Sequence, residues 1–247
     1  MDPIEVHFFE EIEPQECILI EGLPGVGQVG KLVAEHLIHE LGAEKIAEIH
    51  SIYFPPQVLL DGDGTTRLVC NEIFRYAGDR PILFLVGDYQ SASGEGHYLL
   101  ASAYLDIAEE LGVRRIYTLG GYGVGHLIDE PRVLGAVNRP HLREEVEAAG
   151  AVFTRDEPGG GIVGASGLLL GLGGFRDIEG ICLMGETSGY LVDPISAHSL
   201  MTVLCKLTGI TVDTTTLQER AGEMEHLVEK LRQMEEAKND EELNYIG

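Results

Sequence analysis

The sequence is poor in the residues that build several common kinds of site. It contains no tryptophan, and its four cysteines, Cys17, Cys70, Cys182 and Cys205, form no C-x-x-C pair. Three of them lie in apolar, strand-like runs, where cysteine behaves as a small hydrophobic residue. We therefore predict four buried thiols, with neither a disulfide framework nor a metal site.

Basic residues are also scarce, with 17 lysines and arginines against 41 aspartates and glutamates. The formal net charge of −24 repels phosphate backbones, so a nucleic acid is not a predicted partner. The charge is typical of a highly soluble protein or of a salt-rich cytoplasm. A basic protein partner is the alternative that it leaves open.

Long hydrophobic runs are missing too. The longest nearly unbroken ones, such as residues 82–86, have the length of a strand and cannot cross a membrane. Residues 1–5 lack the basic and apolar regions of a secretory signal, and no Pro/Ser-rich linker divides the chain. We expect one cytoplasmic domain, whose 44% hydrophobic residues suffice for a core.

Apolar strands alternate with helices along the chain, which predicts an α/β fold with a mostly parallel sheet and helices on both faces. We predict strands at 17–20, 81–87, 115–119, 132–137, 151–154 and 180–184, and a hairpin within 46–74 that turns at 61–64. We predict helices at 28–41, 97–111, 142–149, 161–170 and 196–207, the last begun by Pro194 and a serine cap.

The C-terminal residues differ in kind from the α/β domain, which we assign to residues 1–214. Residues 215–237 read as an amphipathic helix, with an apolar stripe suited to self-association that includes Leu217, Met224, Val228 and Leu231. Residues 238–247 read as a flexible acidic tail that ends in Leu243, Asn244, Tyr245, Ile246 and Gly247. Such an ending indicates a tethered docking element or a terminus that rests on its own domain.

A glycine turn follows the first predicted strand and begins the first helix. Gly25, Gly27 and Gly30 form a G-x-G-x-x-G motif, which can hold a phosphate on backbone N–H groups. A dinucleotide site also needs an acid at the end of the next strand, and Glu44 and Glu48 are poorly placed for that role. Read as a P-loop through Gly30 and Lys31, the motif has Leu32 where a hydroxyl is needed. The more favoured reading is a tight turn and a close approach of helix to sheet.

Further polar side chains fall in the glycine-bearing loops at strand ends. Together with Gly25, Gly27, Gly30 and Lys31, the residues Asp88, Tyr122 and His126 form a possible ligand loop. No nucleophile, base and orienting group can be assembled from their spacing. The sequence therefore predicts no catalytic residues and no cofactor, and it favours binding over catalysis.

Four motifs in combination resemble the PAC2 family, the archaeal relatives of the eukaryotic proteasome assembly chaperones. They are GLPGVGQVG at 22–30, GGY at 120–122, DEPRV at 129–133, and GETSGY with the following DP at 185–194, and the resemblance covers about residues 8–217. It implies a core similar to that of the purine nucleoside phosphorylases, homo-oligomers, and C-terminal tails that bind the proteasome α-ring. The family's tail pattern has tyrosine as the penultimate residue, whereas Tyr245 is third from the end here.

Two hypotheses follow. The first is an ATP-independent proteasome assembly chaperone or adaptor that binds proteasome α-subunits through Leu243, Tyr245, Ile246 and the carboxylate of Gly247. The second is an enzyme or sensor that binds a nucleoside or nucleotide in the glycine-rich loops, as a phosphorylase-like core would allow.

Overall fold

The computed structural model describes residues 2–153, 161–219 and 222. Its strands are β1 (Ile4–Phe8), β2 (Cys17–Glu21), β3 (Glu44–Ser51), β4 (Val58–Leu60), β5 (Thr66–Leu68), β6 (Asn71–Tyr76), β7 (Ile82–Gly87), β8 (Val113–Gly123), β9 (Val133–Val137) and β10 (Glu179–Thr187). Its helices are α1 (Val29–Leu41), α2 (Gly94–Glu110), α3 (Arg143–Ala149), α4 (Ala165–Phe175) and α5 (Pro194–Thr208). Short 3-10 turns at Val26–Gln28 and Pro140–Leu142 precede α1 and α3.

The sheet has eight strands in the order β1-β3-β6-β7-β2-β8-β10-β9. Its centre is parallel, because β7, β2, β8 and β10 all run in one direction. The outer pairs β1–β3, β3–β6, β6–β7 and β10–β9 are antiparallel. The α/β class is thus confirmed, with the parallel pairing confined to the four central strands. The predicted hairpin is the separate pair β4–β5.

Helices cover both faces of the sheet, as predicted. On one face α2 and α4 pack over a core that includes Leu19, Leu105 and Ile116. On the other face, α1, α3 and α5 pack on the sheet around a second core that includes Val33 and Ile181. Every residue of β7 is buried, because this central strand lies between the two helical layers.

Several elements differ from their prediction. The edge strand β1 was not predicted, and it pairs with β3 over Ile4–Phe8. Predicted helix 161–170 begins instead at Ala165, whose backbone N–H is held by the side chain of Gln90. The predicted strand at 151–154 is reduced to an isolated bridge between Leu134 and Val152. The described cysteines are free thiols, but Cys205 is only partly buried.

The residue that caps the start of α5 also differs from the prediction. Pro194 is the first helical residue, as predicted, but the cap is Asp193, whose carboxylate accepts a hydrogen bond of 2.9 Å from the backbone N–H of Ser196. We expect Asp193→Ala to lower the free energy of unfolding by about 1 kcal/mol, because that N–H loses its partner. Asp193→Asn keeps an oxygen there and should cost much less. Urea denaturation of both variants checks the difference, and equal losses would contradict the capping role.

Residues 211–219 return across the face that carries α1 and α5. The backbone oxygen of Asp213 lies 2.7 Å from Nε2 of His36, and residues 215–219 are helical. Leu217 is 1% exposed and belongs to the same core cluster as residues of α1 and α5, so it packs within its own chain. Met224, Val228 and Leu231, and the tail 238–247, lie outside the described residues. None of the helices in the described residues combines the length and the apolar character that spanning a membrane requires.

Candidate functional site

The four parallel strands end at one edge of the sheet, and the predicted ligand loops meet there. Glu21, Gly87, Gly123 and Thr187 are the last residues of β2, β7, β8 and β10. In open α/β sheets, ligands bind in the crevice outside the carboxyl ends of the strands. We refer to this edge as the carboxyl edge.

The glycine turn is packed tightly against its neighbours. A Cβ atom on Gly30 would overlap the backbone oxygen of Leu119 in β8, so only glycine lets α1 approach the sheet this closely. Gly27 has a φ of 63° and would bring a Cβ to 2.8 Å from Oγ1 of Thr187. Its backbone oxygen accepts a hydrogen bond of 2.9 Å from the N–H of Asp193. These contacts support the interpretation that the glycines allow a tight turn and a close approach of α1 to the sheet.

Lys31 and Asp88 lie at the β7 side of the carboxyl edge. Nζ of Lys31 donates to the backbone oxygen of Gly87 at 3.1 Å. Asp88 accepts hydrogen bonds of 2.6 and 2.8 Å from the guanidinium of Arg67 and another of 3.1 Å from the N–H of Cys70. Arg67 holds the pKa of Asp88 below its usual value, although burial opposes this. Asp88 therefore orders the loop after β7.

Tyr122 and His126 lie at the other end of the carboxyl edge. Tyr122 is paired in register with Glu186 of β10, and Nδ1 of the exposed His126 lies 3.2 Å from the oxygen of Val124. Nε of Arg132 donates to both carboxylate oxygens of Glu186, at 3.0 and 2.9 Å, and Nη2 contacts Oε1. These bonds lower the pKa of Glu186. This ion pair joins two of the quoted motifs, yet spacing alone could not reveal it.

A buried carboxyl group missed by the sequence analysis lies beneath the glycine turn. Glu21 is fully buried, accepts a hydrogen bond of 2.9 Å from the N–H of Leu23, and accepts another of 2.9 Å from the hydroxyl of Ser166 on α4. Burial raises its pKa to about 7. Thr118 and Cys182 stand in register with it on β8 and β10, and both are fully buried. The sequence feature that could have indicated this buried carboxyl group is a glutamate directly after the apolar run of β2.

The acids considered for a dinucleotide site lie elsewhere. Glu44 and Glu48 are on β3, which is separated from β2 by β6 and β7. This strand order keeps both carboxylates away from the glycine turn. The geometry therefore gives no support to a ribose contact of the dinucleotide kind.

Among the residues that the structure describes, one set of side chains has the spacing of metal ligands. Carboxylate oxygens of Glu48 and Glu72 and the sulfur of Cys70 lie within 4.8 Å of one another. Nζ of Lys45, however, donates to Glu48 at 2.6 Å and to Glu72 at 3.0 Å. Burial, with nearby acids, raises the pKa of Cys70 to about 11 and keeps the thiol protonated. The lysine already supplies the positive charge that a cation would bring.

Known proteins resemble this chain over nearly its whole length. It is 43% identical to the uncharacterized protein MJ1210 of Methanocaldococcus jannaschii, over 96% of this chain and 95% of that protein. Pyrococcus furiosus PbaB, described as an archaeal proteasome activator, is 40% identical with a TM-score of 0.88, over 94% of this chain and all of PbaB. PbaA of the same organism, described as an archaeal homolog of proteasome-assembly chaperone, is 27% identical with a TM-score of 0.78, over 99% of this chain and 98% of PbaA.

The PAC2 family model matches residues 19–232, which include the glycine turn, the Arg132–Glu186 pair and the start of α5. The motifs that carried the resemblance thus form the carboxyl edge of the folded chain. The chain belongs to the PAC2 family.

Proposed function

We propose that the protein is an ATP-independent assembly chaperone or adaptor of the proteasome, and that its C-terminal tail binds proteasome α-subunits in the cytoplasm. The observation that carries the proposal is the likeness to PbaB, with 40% identity and a TM-score of 0.88. In the described part of the carboxyl edge, most polar groups hold loops together. Because few of them are left for catalysis, this edge favours a binding role.

The path of the chain supports the docking role of the tail. Leu217 anchors the C-terminal segment in the core, and Nε2 of Gln218 lies 3.1 Å from Nε2 of His198 on α5. Gly222 borders a shallow cavity that is also lined by Asp129, Glu130 and Pro131. These three residues follow β8, so Gly222, which precedes the tail segment, lies near the carboxyl edge.

Charge supports a basic partner surface. The net charge of −24 would steer the protein toward positive surfaces and speed their encounter. A terminal carboxylate at Gly247 with apolar Tyr245 and Ile246 beside it offers one charged and two apolar contacts. Several tails in one homo-oligomer would raise the apparent affinity by avidity. Met224, Val228 and Leu231 are the proposed self-association residues, whereas Leu217 is used within its own core.

Deleting residues 243–247 should abolish binding of the full-length chain to isolated proteasome α-rings, as measured by calorimetry. Within the tail, Tyr245→Ala should weaken binding by about 30-fold, because a tyrosine anchor in a pocket contributes about 2 kcal/mol.

Asn244→Ala is the matched control, since it changes a neighbouring polar residue and should leave binding within about threefold of the original. Binding that survives the deletion would refute the role of the tail. Equal effects of the Tyr245 and Asn244 substitutions would refute the anchor.

A further inference from the structure

A second cavity lies at the opposite edge of the sheet, where the parallel strands begin. It is an open cleft with a volume of about 780 Å³, lined by the starts of β2, β7, β8 and β10 and the ends of α1 and α5. Small-molecule sites are commonly clefts of about 300–1,000 Å³. The proposed function of the tail makes no use of this cavity.

Arginines without a carboxylate partner gather around it. Most arginines in the described ranges form ion pairs within the chain, namely Arg67, Arg115, Arg132, Arg139, Arg143 and Arg176. The exceptions there are Arg75, Arg80 and Arg114. Of these three, Arg80 and Arg114 line the cavity.

The guanidinium of Arg80 has a partial role in the fold. Nη1 donates to the backbone oxygen of Thr208 at 3.4 Å, at the end of α5, where helices favour cations. An arginine has five N–H donors, so this single long bond leaves most of them available. Both Arg80 and Arg114 are exposed to solvent. They can therefore turn toward a bound anion without breaking an ion pair.

Acidic side chains also line the cavity, and their number decides the net charge of the lining. Glu179 is held by Arg115 and His141 at 2.6 and 2.8 Å, which leaves Glu16 and Asp79 without an ion pair among the described residues. Arg80 and Arg114 equal these two carboxylates in number, so the unpaired charges of the lining balance. In a chain with a net charge of −24, a lining with as many arginines as carboxylates is much less acidic than the protein as a whole.

Apolar side chains make up another part of the lining. Aliphatic surface comes from the partly buried Ile18, Leu41, Leu207 and Ile210, and Tyr76 beside them is also only partly buried. An apolar surface next to guanidinium groups suits a ligand with two different ends. A small inorganic anion would leave the apolar surface unused, and a neutral hydrocarbon would leave the arginines unused.

We propose that this cavity binds a small molecule whose ring-sized apolar body carries a carboxylate or a phosphate. The anion lies between Arg80 and Arg114, where guanidinium groups can donate paired hydrogen bonds to it. The apolar body lies against Leu41 and Tyr76.

Calorimetric titration of the full-length protein with phenyl phosphate and with benzoate tests the proposal and distinguishes the two anions. At least one should bind at millimolar concentration or better, and about tenfold more tightly than inorganic phosphate or phenol. Arg114→Gln should weaken that binding about tenfold, and the double variant Arg80→Gln/Arg114→Gln should abolish it.

Arg143→Gln is the control, because it removes one arginine charge from α3 that does not line the cavity, and it should not change the affinity. Circular dichroism checks that each variant is folded. The proposal is overturned if neither aromatic anion binds, if inorganic phosphate binds as tightly as phenyl phosphate, or if the double variant binds as well as the original protein.

Discussion

Replacing Gly30 with alanine should lower the free energy of unfolding by about 3 kcal/mol or more. The new Cβ would overlap the backbone oxygen of Leu119 and lie 3.0 Å from the Cβ of the same residue. A backbone oxygen in the middle of β8 cannot move aside as a flexible side chain can. Helix α1 would have to shift away from the sheet, and the contacts that fix the glycine turn would be lost with it.

Gly171→Ala is the control for this prediction. Gly171 lies in the middle of α4, and apart from its chain neighbours and the backbone of α4 itself no heavy atom lies within 4 Å of the position of its added Cβ. There the substitution should stabilise by about 0.5–1 kcal/mol, because alanine has the better helix propensity. Scanning calorimetry should show the melting temperature falling by about 6–12 °C for the first variant and rising slightly for the second. A stable Gly30→Ala protein would contradict the close packing of α1 on β8.

Glu21→Gln should stabilise the protein above pH 7 by about 3 kcal/mol and have little effect below pH 4.5. Burial raises the pKa of Glu21 from 4.5 to about 7. The folded chain therefore holds a proton that the unfolded chain releases at lower pH, and wild-type stability falls as the pH rises from about 4.5 to about 7. Glutamine is always neutral, and it can keep the bonds to Leu23 and Ser166 because a hydroxyl can accept as well as donate.

Denaturant unfolding at several pH values between 5 and 9 measures this difference. Glu110→Gln, which removes an exposed carboxylate from α2, should follow the wild-type curve and so controls for the loss of one charge. A constant difference between wild type and Glu21→Gln at every pH would show that Glu21 does not titrate in this range in the folded state.

The glycine turn illustrates what the sequence could predict. Its position after an apolar run and before a helical pattern was enough to place β2, the turn and α1, and to favour close packing over phosphate binding. The contact that explains Gly30 comes from Leu119, however, which is far away in the chain. Local spacing predicts that a glycine is needed but cannot name the atom that needs it.

Other features depended on tertiary pairing. Strand β1 is short and only partly buried, so it lacks the apolar run that marked β2 and β7. Glu21 reads as an ordinary acid until burial makes its carboxyl titrate near neutral pH. The unpaired state of Arg80 and Arg114 cannot be seen in a sequence, because it depends on which acids fold beside them.

The anchoring of the C-terminal segment also sets a length scale. Residues 223–247 follow Gly222 at the carboxyl edge, and an extended chain spans at most about 3.5 Å per residue, so Gly247 stays within about 90 Å of that point. If residues 223–237 are helical as predicted, the radius shrinks to about 60 Å. This contour length limits which binding pockets one protomer can sample while its domain stays in place. Insertions or deletions between the helix and residue 243 would tune that radius without disturbing the sheet.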